Sequence, residues 1–201
     1  EYILKKSNLR NLFIMMLIML LQQFSGISTL LGQVSRLLSG VGLSIGVYLE
    51  SVLFDFVGGM STMIAAFITD YIGTKNMWSF SSLGLCIGLI IYAITLKTDT
   101  PNWLGTLGVF VYFLFYGLGE GPTPWYLCGT MFPESVRIES SAIILFENFF
   151  LGPILEQLWN SLDKINGQFG SIVFSAVACF LSIFLGRLIP AENRVNIDRV
   201  N

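Results

Sequence analysis

Apolar runs of about 20 residues recur along this chain, and each is long enough to cross a hydrocarbon core of about 30 Å. Short polar segments separate them. This pattern predicts an all-α integral membrane helical bundle, with six transmembrane helices forming a single domain over residues 1–201. We expect the spans at residues 11–38, 43–68, 77–96, 103–131, 141–159 and 169–189. The connections are predicted as polar loops, among them residues 70–76, 97–102, 132–140 and 160–168.

The composition agrees with a membrane protein and narrows the chemistry. The chain is 54% hydrophobic and 12% charged, whereas soluble domains carry roughly 25% charged residues. A net charge of −2 gives no reason to expect a nucleic-acid partner. The absence of histidine excludes a histidine-ligated metal site, and Cys86, Cys128 and Cys179 lie far apart in separate apolar runs. We therefore expect neither a metal site nor a cofactor, and no enzyme activity.

The distribution of basic residues sets the expected orientation. An even number of spans places both termini on the same side of the membrane. Eight of the eleven lysines and arginines fall on that side, and Arg36, Lys97 and Lys164 fall on the other. Since basic residues favour the cytoplasmic side, both termini are predicted to be cytoplasmic, and we expect the plasma membrane as the location.

Two of the predicted helices are interrupted at membrane depth. Residues 22–28 introduce polar side chains into the first span, and residues 119–125 introduce glycines and prolines into the fourth. Breaks at corresponding places in spans one to three and four to six indicate a 3+3 inverted repeat, which is typical of a transporter. Glycine and proline are also frequent in membrane helices generally, so a purely structural interpretation of the breaks stays open.

Several motifs, taken together, resemble the C-terminal half of a sugar porter of the major facilitator superfamily. Gln22–Ile27 is similar to the Gln-Gln-x-Ser-Gly motif of that family, and Gly121–Trp125 is similar to its Gly-Pro-x-Pro-Trp motif. Phe132–Arg137 resembles its Phe-Pro-x-x-x-Arg motif, and Asp70–Lys75 resembles its Asp-Arg-x-Gly-Arg-Arg loop. Asn148 stands where the family has an Asn-Trp pair. The motifs follow the family's order along nearly the whole chain.

The resemblance implies a fold of twelve helices in two six-helix halves, of which this chain matches one. The expected partners are the lipid bilayer, a small polar solute, and a second six-helix half, either an N-terminal half missing here or another chain. The implied function is transmembrane transport of the solute, most simply a sugar such as a hexose, by alternating access between the halves.

The substrate-binding residues implied by the resemblance are Gln22, Gln23, Ser28, Trp125 and Asn148. Amide side chains both donate and accept hydrogen bonds, so they match sugar hydroxyls without the desolvation cost of an ion. A tryptophan offers an apolar face to a sugar ring and an N–H to a hydroxyl. The same amides could instead join one helix to another within the bundle.

Two further groups carry implied roles. The predicted gating residues are Gly121, Pro122 and Pro124, because proline removes backbone donors and makes a helix easy to bend. The predicted cytoplasmic charge network comprises Asp70, Lys75, Glu134 and Arg137. Glu120 and Glu147 are additional carboxylates within spans, where an acid is by default a functional hypothesis and proton coupling the first to consider.

The chain also departs from the family pattern. Ser28 and Gly58 stand where the family has asparagine, Thr130 replaces a glutamate, and Phe149 replaces a tryptophan. These changes thin the contacts to a hexose. The lost glutamate, together with Tyr71 and Thr74 in place of loop arginines, favours an alternative function as a solute sensor or decayed half-transporter that completes no transport cycle.

Overall fold

The computed structural model describes residues 6–28, 30 and 47–189, and the regular structure within these ranges is entirely helical. The helices are α1 Lys6–Phe24, α2 Val47–Ile72, α3 Thr74–Thr95, α4 Asn102–Phe115, a π-helix Tyr116–Glu120, α5 Thr123–Thr130, α6 Glu134–Asn166, α7 Gln168–Leu185 and a 3₁₀ turn Gly186–Leu188. Five segments of this part of the chain are long and apolar enough to cross a membrane: Val52–Ile72, Thr74–Thr95, Trp103–Thr130, Glu134–Asn166 and Gln168–Leu188. The predicted all-α membrane bundle is therefore confirmed.

The first span is described only in part. Helix α1 ends at Phe24, a turn follows at Ser25 and Gly26, and residues 27, 28 and 30 are helical again. The break therefore falls inside the polar stretch that predicted it. The rest of the predicted span, with Arg36, and the tail from Pro190 onward lie outside the described residues.

Most of the polar connections are shorter than predicted because helix continues into them, whereas the connection predicted at residues 97–102 is non-helical over residues 96–101. Only Gly73, whose φ of 85° suits a residue without a side chain, separates α2 from α3. The predicted loop at residues 132–140 is wrong, since α6 begins at Glu134 behind the extended Pro133. The acidic Glu134 also favours a helix N-terminus. At 33 residues, or about 50 Å, α6 is longer than the hydrocarbon core, so its polar ends remain helical outside it.

Helix α3 lies at the centre of the described bundle and packs mainly against α4 and α7. Two buried apolar clusters hold the helices together. The first joins α3, α4 and α7 through Leu85, Leu89, Tyr92, Tyr112 and Cys179. The second joins α1, α3, α5 and α6 through Met15, Met19, Trp78, Leu127 and Ile144. The clusters place the interrupted segments of the first and fourth spans beside each other in the bundle.

A close backbone approach joins α3 to α4. A Cβ added at Gly88 would lie 2.6 Å from the carbonyl oxygen of Gly108, and one added at Gly108 would lie 2.8 Å from the carbonyl oxygen of Gly88. Neither backbone atom can move aside without displacing its helix. The paired glycines therefore permit a contact between helices that any larger residue would prevent.

Helix α2 is mostly exposed, since only 17% of its apolar stretch within Val52–Ile72 is buried in the bundle. Its outward side chains include Phe56 and Phe67, which are 64% and 73% exposed. Such side chains contact lipid or another helical bundle when the chain lies in a membrane.

Candidate functional site

The fourth span is broken where its glycines and prolines lie. Helix α4 passes into the π-helix, and the N–H of Gly121 donates to the carbonyl of Tyr116 at 2.8 Å, one residue further back than in an α-helix. Pro124 has no N–H, so the carbonyl oxygen of Glu120 loses the donor that an α-helix would supply four residues later. This buried carbonyl needs a donor from elsewhere.

Gln22 supplies that donor from α1. Its Nε2 lies 2.8 Å from the carbonyl oxygen of Glu120, 3.0 Å from that of Gly121 and 3.2 Å from the hydroxyl of Tyr116. Gln22 itself is 3% exposed. An amide nitrogen carries only two hydrogens, so these three protein acceptors leave it no free donor. Gln22 thus fastens the end of α1 to the break in the fourth span.

A second connection runs one turn deeper between α1 and α4. The hydroxyl groups of Ser25 and Tyr112 lie 3.1 Å apart, and the Tyr112 hydroxyl donates to the carbonyl of Ser25 at 3.2 Å. Both side chains are fully buried. The turn after α1 is therefore held to the bundle by hydrogen bonds. The sequence alone did not point to Tyr112, because a tyrosine in an apolar run is usually a packing residue.

Gln23 and Asn148 are brought together. Nε2 of Gln23 donates to Oδ1 of Asn148, which lies on α6 and is 6% exposed. Gly152, one turn further along α6, lies beside the Gln23 amide, whose nitrogen is 4.0 Å from where a Cβ would stand. The pair presents uncharged donors and acceptors at the junction of α1 and α6, which is chemistry suited to a hydroxylated solute.

The other predicted ligands are less well placed in the described bundle. Trp125 lies on α5 with 47% of its surface exposed, and Ser28 is exposed just beyond the turn after α1. Neither side chain has a hydrogen bond to the residues that the structure describes. Pro122 helps to line a cavity of about 280 Å³ between α2 and α5, together with Thr62, Asp70 and Tyr126. The predicted gating residues thus lie at the interruption of the fourth span, and Pro122 among them lines this cavity.

The four members of the predicted charge network are not joined by ion pairs within the described part of the chain. Asp70 and Glu134 are exposed. Nε of Arg137 donates instead to the carbonyl of Phe132 at 3.2 Å. Lys75 lines a cavity of about 470 Å³ whose other charged residues are Arg10 and Arg187. All these residues lie at the end of the bundle where α1 begins, but the structure does not show a closed network.

Glu120, for which the sequence suggested proton coupling as a first hypothesis, lies in an enclosed place in the bundle. The carboxyl group is fully buried between the fourth span, α3 and α7. Its Oε1 lies 2.5 Å from Oγ of Ser82 and 3.0 Å from Oγ of Ser182. The serines went unnoticed because serine is common at contacts between membrane helices. Only the fold brings residues 82, 120 and 182 together.

The chain is similar in sequence to insect sugar transporters. It is 24% identical over 203 residues to the facilitated trehalose transporter Tret1 of Apis mellifera ligustica, covering 98% of this chain and 40% of the relative. It is 26% identical over 189 residues to the corresponding transporter of Drosophila mojavensis, covering 90% of this chain and 22% of the relative. The chain thus spans less than half the length of these relatives.

Solved structures show the same fold. A crystal structure of a doubly tryptophan-substituted XylE matches with a TM-score of 0.83 and 20% identity, over 90% of this chain and 40% of that protein. The proton:xylose symporter XylE bound to 6-bromo-6-deoxy-D-glucose matches with a TM-score of 0.77 and 22% identity over the same shares. The described helices therefore adopt the fold of part of a major facilitator superfamily protein. The family model for sugar (and other) transporters matches residues 1–200, and the chain belongs to that family.

Proposed function

We propose that this chain moves a small polar solute, a sugar in the first instance, across a membrane by alternating access. The observation that carries the proposal is the pairing of Gln23 with Asn148 beside a broken helix that Gln22 fastens. The pair is polar, uncharged and located where two helices meet within an apolar bundle. Such groups bind hydroxyls by hydrogen bonding and release them readily. The relatives' names point to trehalose, glucose or xylose as the solutes to try first.

The three predicted amide ligands then have different tasks. Because the nitrogen of Gln22 is engaged with backbone carbonyls, only its Oε1 is left for a solute hydroxyl. Gln23 and Asn148 can each exchange their mutual hydrogen bond for bonds to the solute. Trp125 would cover the sugar ring from α5, where its exposed face is available.

A second six-helix half is part of the proposal. The relatives are much longer than this chain, and α2 and the Trp125 face leave large apolar and aromatic side chains uncovered in the described bundle. A half of the same fold, in the same polypeptide or in another chain, would close the solute site from the opposite side. We also propose that both termini are cytoplasmic and that the membrane is the plasma membrane. The four residues of the predicted charge network, which lie at the end of the bundle where α1 begins, would regulate opening on the cytoplasmic side. No covalent chemistry is required of any residue in this mechanism.

The test is solute binding and flux with a matched pair of variants. Asn148→Leu keeps the approximate side-chain size and removes the amide, so saturable binding of labelled trehalose, glucose or xylose should weaken by about tenfold, the equivalent of one lost hydrogen bond of about 1.4 kcal/mol. The control is Ser161→Ala, an exposed position on the same helix, which should bind as the wild type does. Uptake into proteoliposomes should follow the same order.

Two results would contradict the proposal. Equal affinity in wild type and Asn148→Leu would remove the solute from this site. Saturable binding with no flux, even when a complementary six-helix half is supplied, would replace transport by a sensing role.

A further inference from the structure

The buried carboxyl group of Glu120 has a surrounding that the proposed solute site does not explain. It is 0% exposed and lies where the end of the π-helix packs against α3 and α7. Because the described bundle alone already leaves it fully buried, its enclosure does not depend on a second half. Its backbone is equally engaged, because its N–H donates to Oγ of Ser81 and its carbonyl accepts from Gln22.

The hydrogen bonds around the carboxyl group are one-sided. Oε1 lies close to the hydroxyls of Ser82 and Ser182, whereas Oε2 is buried and has no hydrogen-bond partner among the described groups. An ionised carboxylate spreads its charge over both oxygens, so one of them would be charged and buried without a hydrogen-bond partner among the described groups. Burial of a charge in that state is strongly unfavourable.

The described groups around this carboxyl group offer no compensating positive charge. The titratable side chains near enough to act on Glu120 are Tyr112 on α4, Tyr116 on the π-helix and Cys179 on α7. Tyrosine and cysteine side chains are neutral when protonated and negative when deprotonated, so none of the three supplies a positive charge. Helix α3 faces the carboxyl group with the uncharged side chains of Ser81, Ser82 and Trp78. Within the described residues no ion pair reaches Glu120.

A neutral carboxylic acid fits the same surroundings well. With a hydrogen on Oε1, Glu120 donates to Oγ of Ser82 over 2.5 Å, a normal length for such a bond. Ser82 then donates onward to the carbonyl of Trp78 at 3.0 Å. The indole N–H of Trp78 in turn donates to Oγ of Ser182 at 3.0 Å. In this arrangement each of these donors has an acceptor, and no buried charge remains.

We propose that Glu120 is a proton-binding site, occupied in this conformation and emptied when the broken fourth span separates from α3 and α7. On separation the O–H bond of the acid breaks, the proton passes to water, and the carboxylate left behind becomes hydrated. The enclosed conformation therefore holds one more proton than the opened one, and rising pH favours opening. The part of this inference that concerns opening rests on the proposed transport function, whereas the proton site itself does not.

Infrared spectroscopy of the whole chain in lipid nanodiscs, with ¹³C-labelled glutamate, tests the site without any solute. At neutral pH we expect an isotope-shifted C=O stretch of a protonated carboxyl group, lost in Glu120→Gln and retained in Glu139→Gln, an exposed position on α6. Glu147→Gln is included because Oε2 of Glu147 is also buried without a partner. A band lost in Glu147→Gln and retained in Glu120→Gln would overturn the proposal.

Two further measurements keep the test decisive if Glu120→Gln folds poorly. Ser182→Ala removes one hydroxyl from Oε1, leaves Trp78 its second acceptor at the Ser182 carbonyl, and should shift the Glu120 band without abolishing it. The melting temperature of the wild type should fall as pH rises, because the folded state binds more protons than the unfolded state, and Glu120→Gln should lose that slope. An unchanged band in Ser182→Ala, or loss of the band on adding Na⁺ at constant pH, would overturn the proton site.

The outcomes also separate this inference from the proposed function. A Glu120 band in protein that binds no solute supports the proton site and removes the transport proposal. Solute flux in protein that lacks the band supports transport and overturns the proton site.

Discussion

Replacing Gln22 by methionine tests whether this side chain holds the broken span together. Methionine has nearly the same length and flexibility, so the change removes the hydrogen bonds while leaving the packing in place. The carbonyl of Glu120 is buried and loses its 2.8 Å donor, at a cost of about 2 kcal/mol, and the partly buried carbonyl of Gly121 adds about 1 kcal/mol. The free energy of unfolding of Gln22→Met should therefore be lower than that of the wild type by about 3 kcal/mol. At about 2–4 °C per kcal/mol for a domain of this size, the melting temperature should fall by about 6–12 °C.

The chain contains its own reporter for this measurement. Cys86, Cys128 and Cys179 are free and buried, so a thiol-reactive dye should react only as the bundle opens on heating. Gln157→Met, at an exposed position on α6, is the matched control and should melt with the wild type. Melting of Gln22→Met within about 1 °C of the control would refute the assignment, because a loss that small means that neither carbonyl depends on Gln22.

A double-mutant cycle makes the reasoning more specific. In Pro124→Ala the backbone regains an N–H that can donate to the carbonyl of Glu120. The loss caused by Gln22→Met should then shrink by about 1–2 kcal/mol, a coupling typical of residues that share an acceptor. Strictly additive effects would show that the proline and the glutamine act independently.

Two other positions give simpler expectations. Gly88→Ala places a methyl group 2.6 Å from the backbone oxygen of Gly108 and should destabilise the bundle by about 1–3 kcal/mol, whereas Gly129→Ala, with nothing within 4 Å, should be nearly neutral in the same dye assay. Trp159→Phe removes the indole donor to Ser175 at 2.9 Å and should cost about 1–2 kcal/mol, measured as a shift in melting temperature. An unchanged melting curve in either variant would contradict the assigned contact.

The sequence predicted the break in the fourth span because its cause is local. Proline and glycine alter the backbone at their own positions, so residues 119–125 predict an interruption whatever the tertiary fold. The helix ends were predicted less well, because polarity marks where water begins and not where a helix stops. Glu134–Ser140 is polar and helical for that reason.

The task of Gln22 could not be predicted in the same way. Its backbone acceptors lie 98 and 99 residues away in the sequence, and only the packing of α1 against the fourth span brings them within hydrogen-bond distance. From sequence alone a glutamine at membrane depth is equally a solute ligand or a connection between helices. The serines around Glu120 were missed because each is unremarkable until three helices meet. Gln23 and Asn148, both predicted as ligands from distant parts of the sequence, are brought into contact by the fold.

The bond between Gln22 and the carbonyl freed by Pro124 has a consequence for how such chains change over time. A lineage that loses the proline regains a backbone donor, and the glutamine is then free to vary. A lineage that loses the glutamine first exposes an unpaired carbonyl and comes under selection to restore it. Positions 22 and 124 should therefore substitute together, in that preferred order, although they lie in different helices.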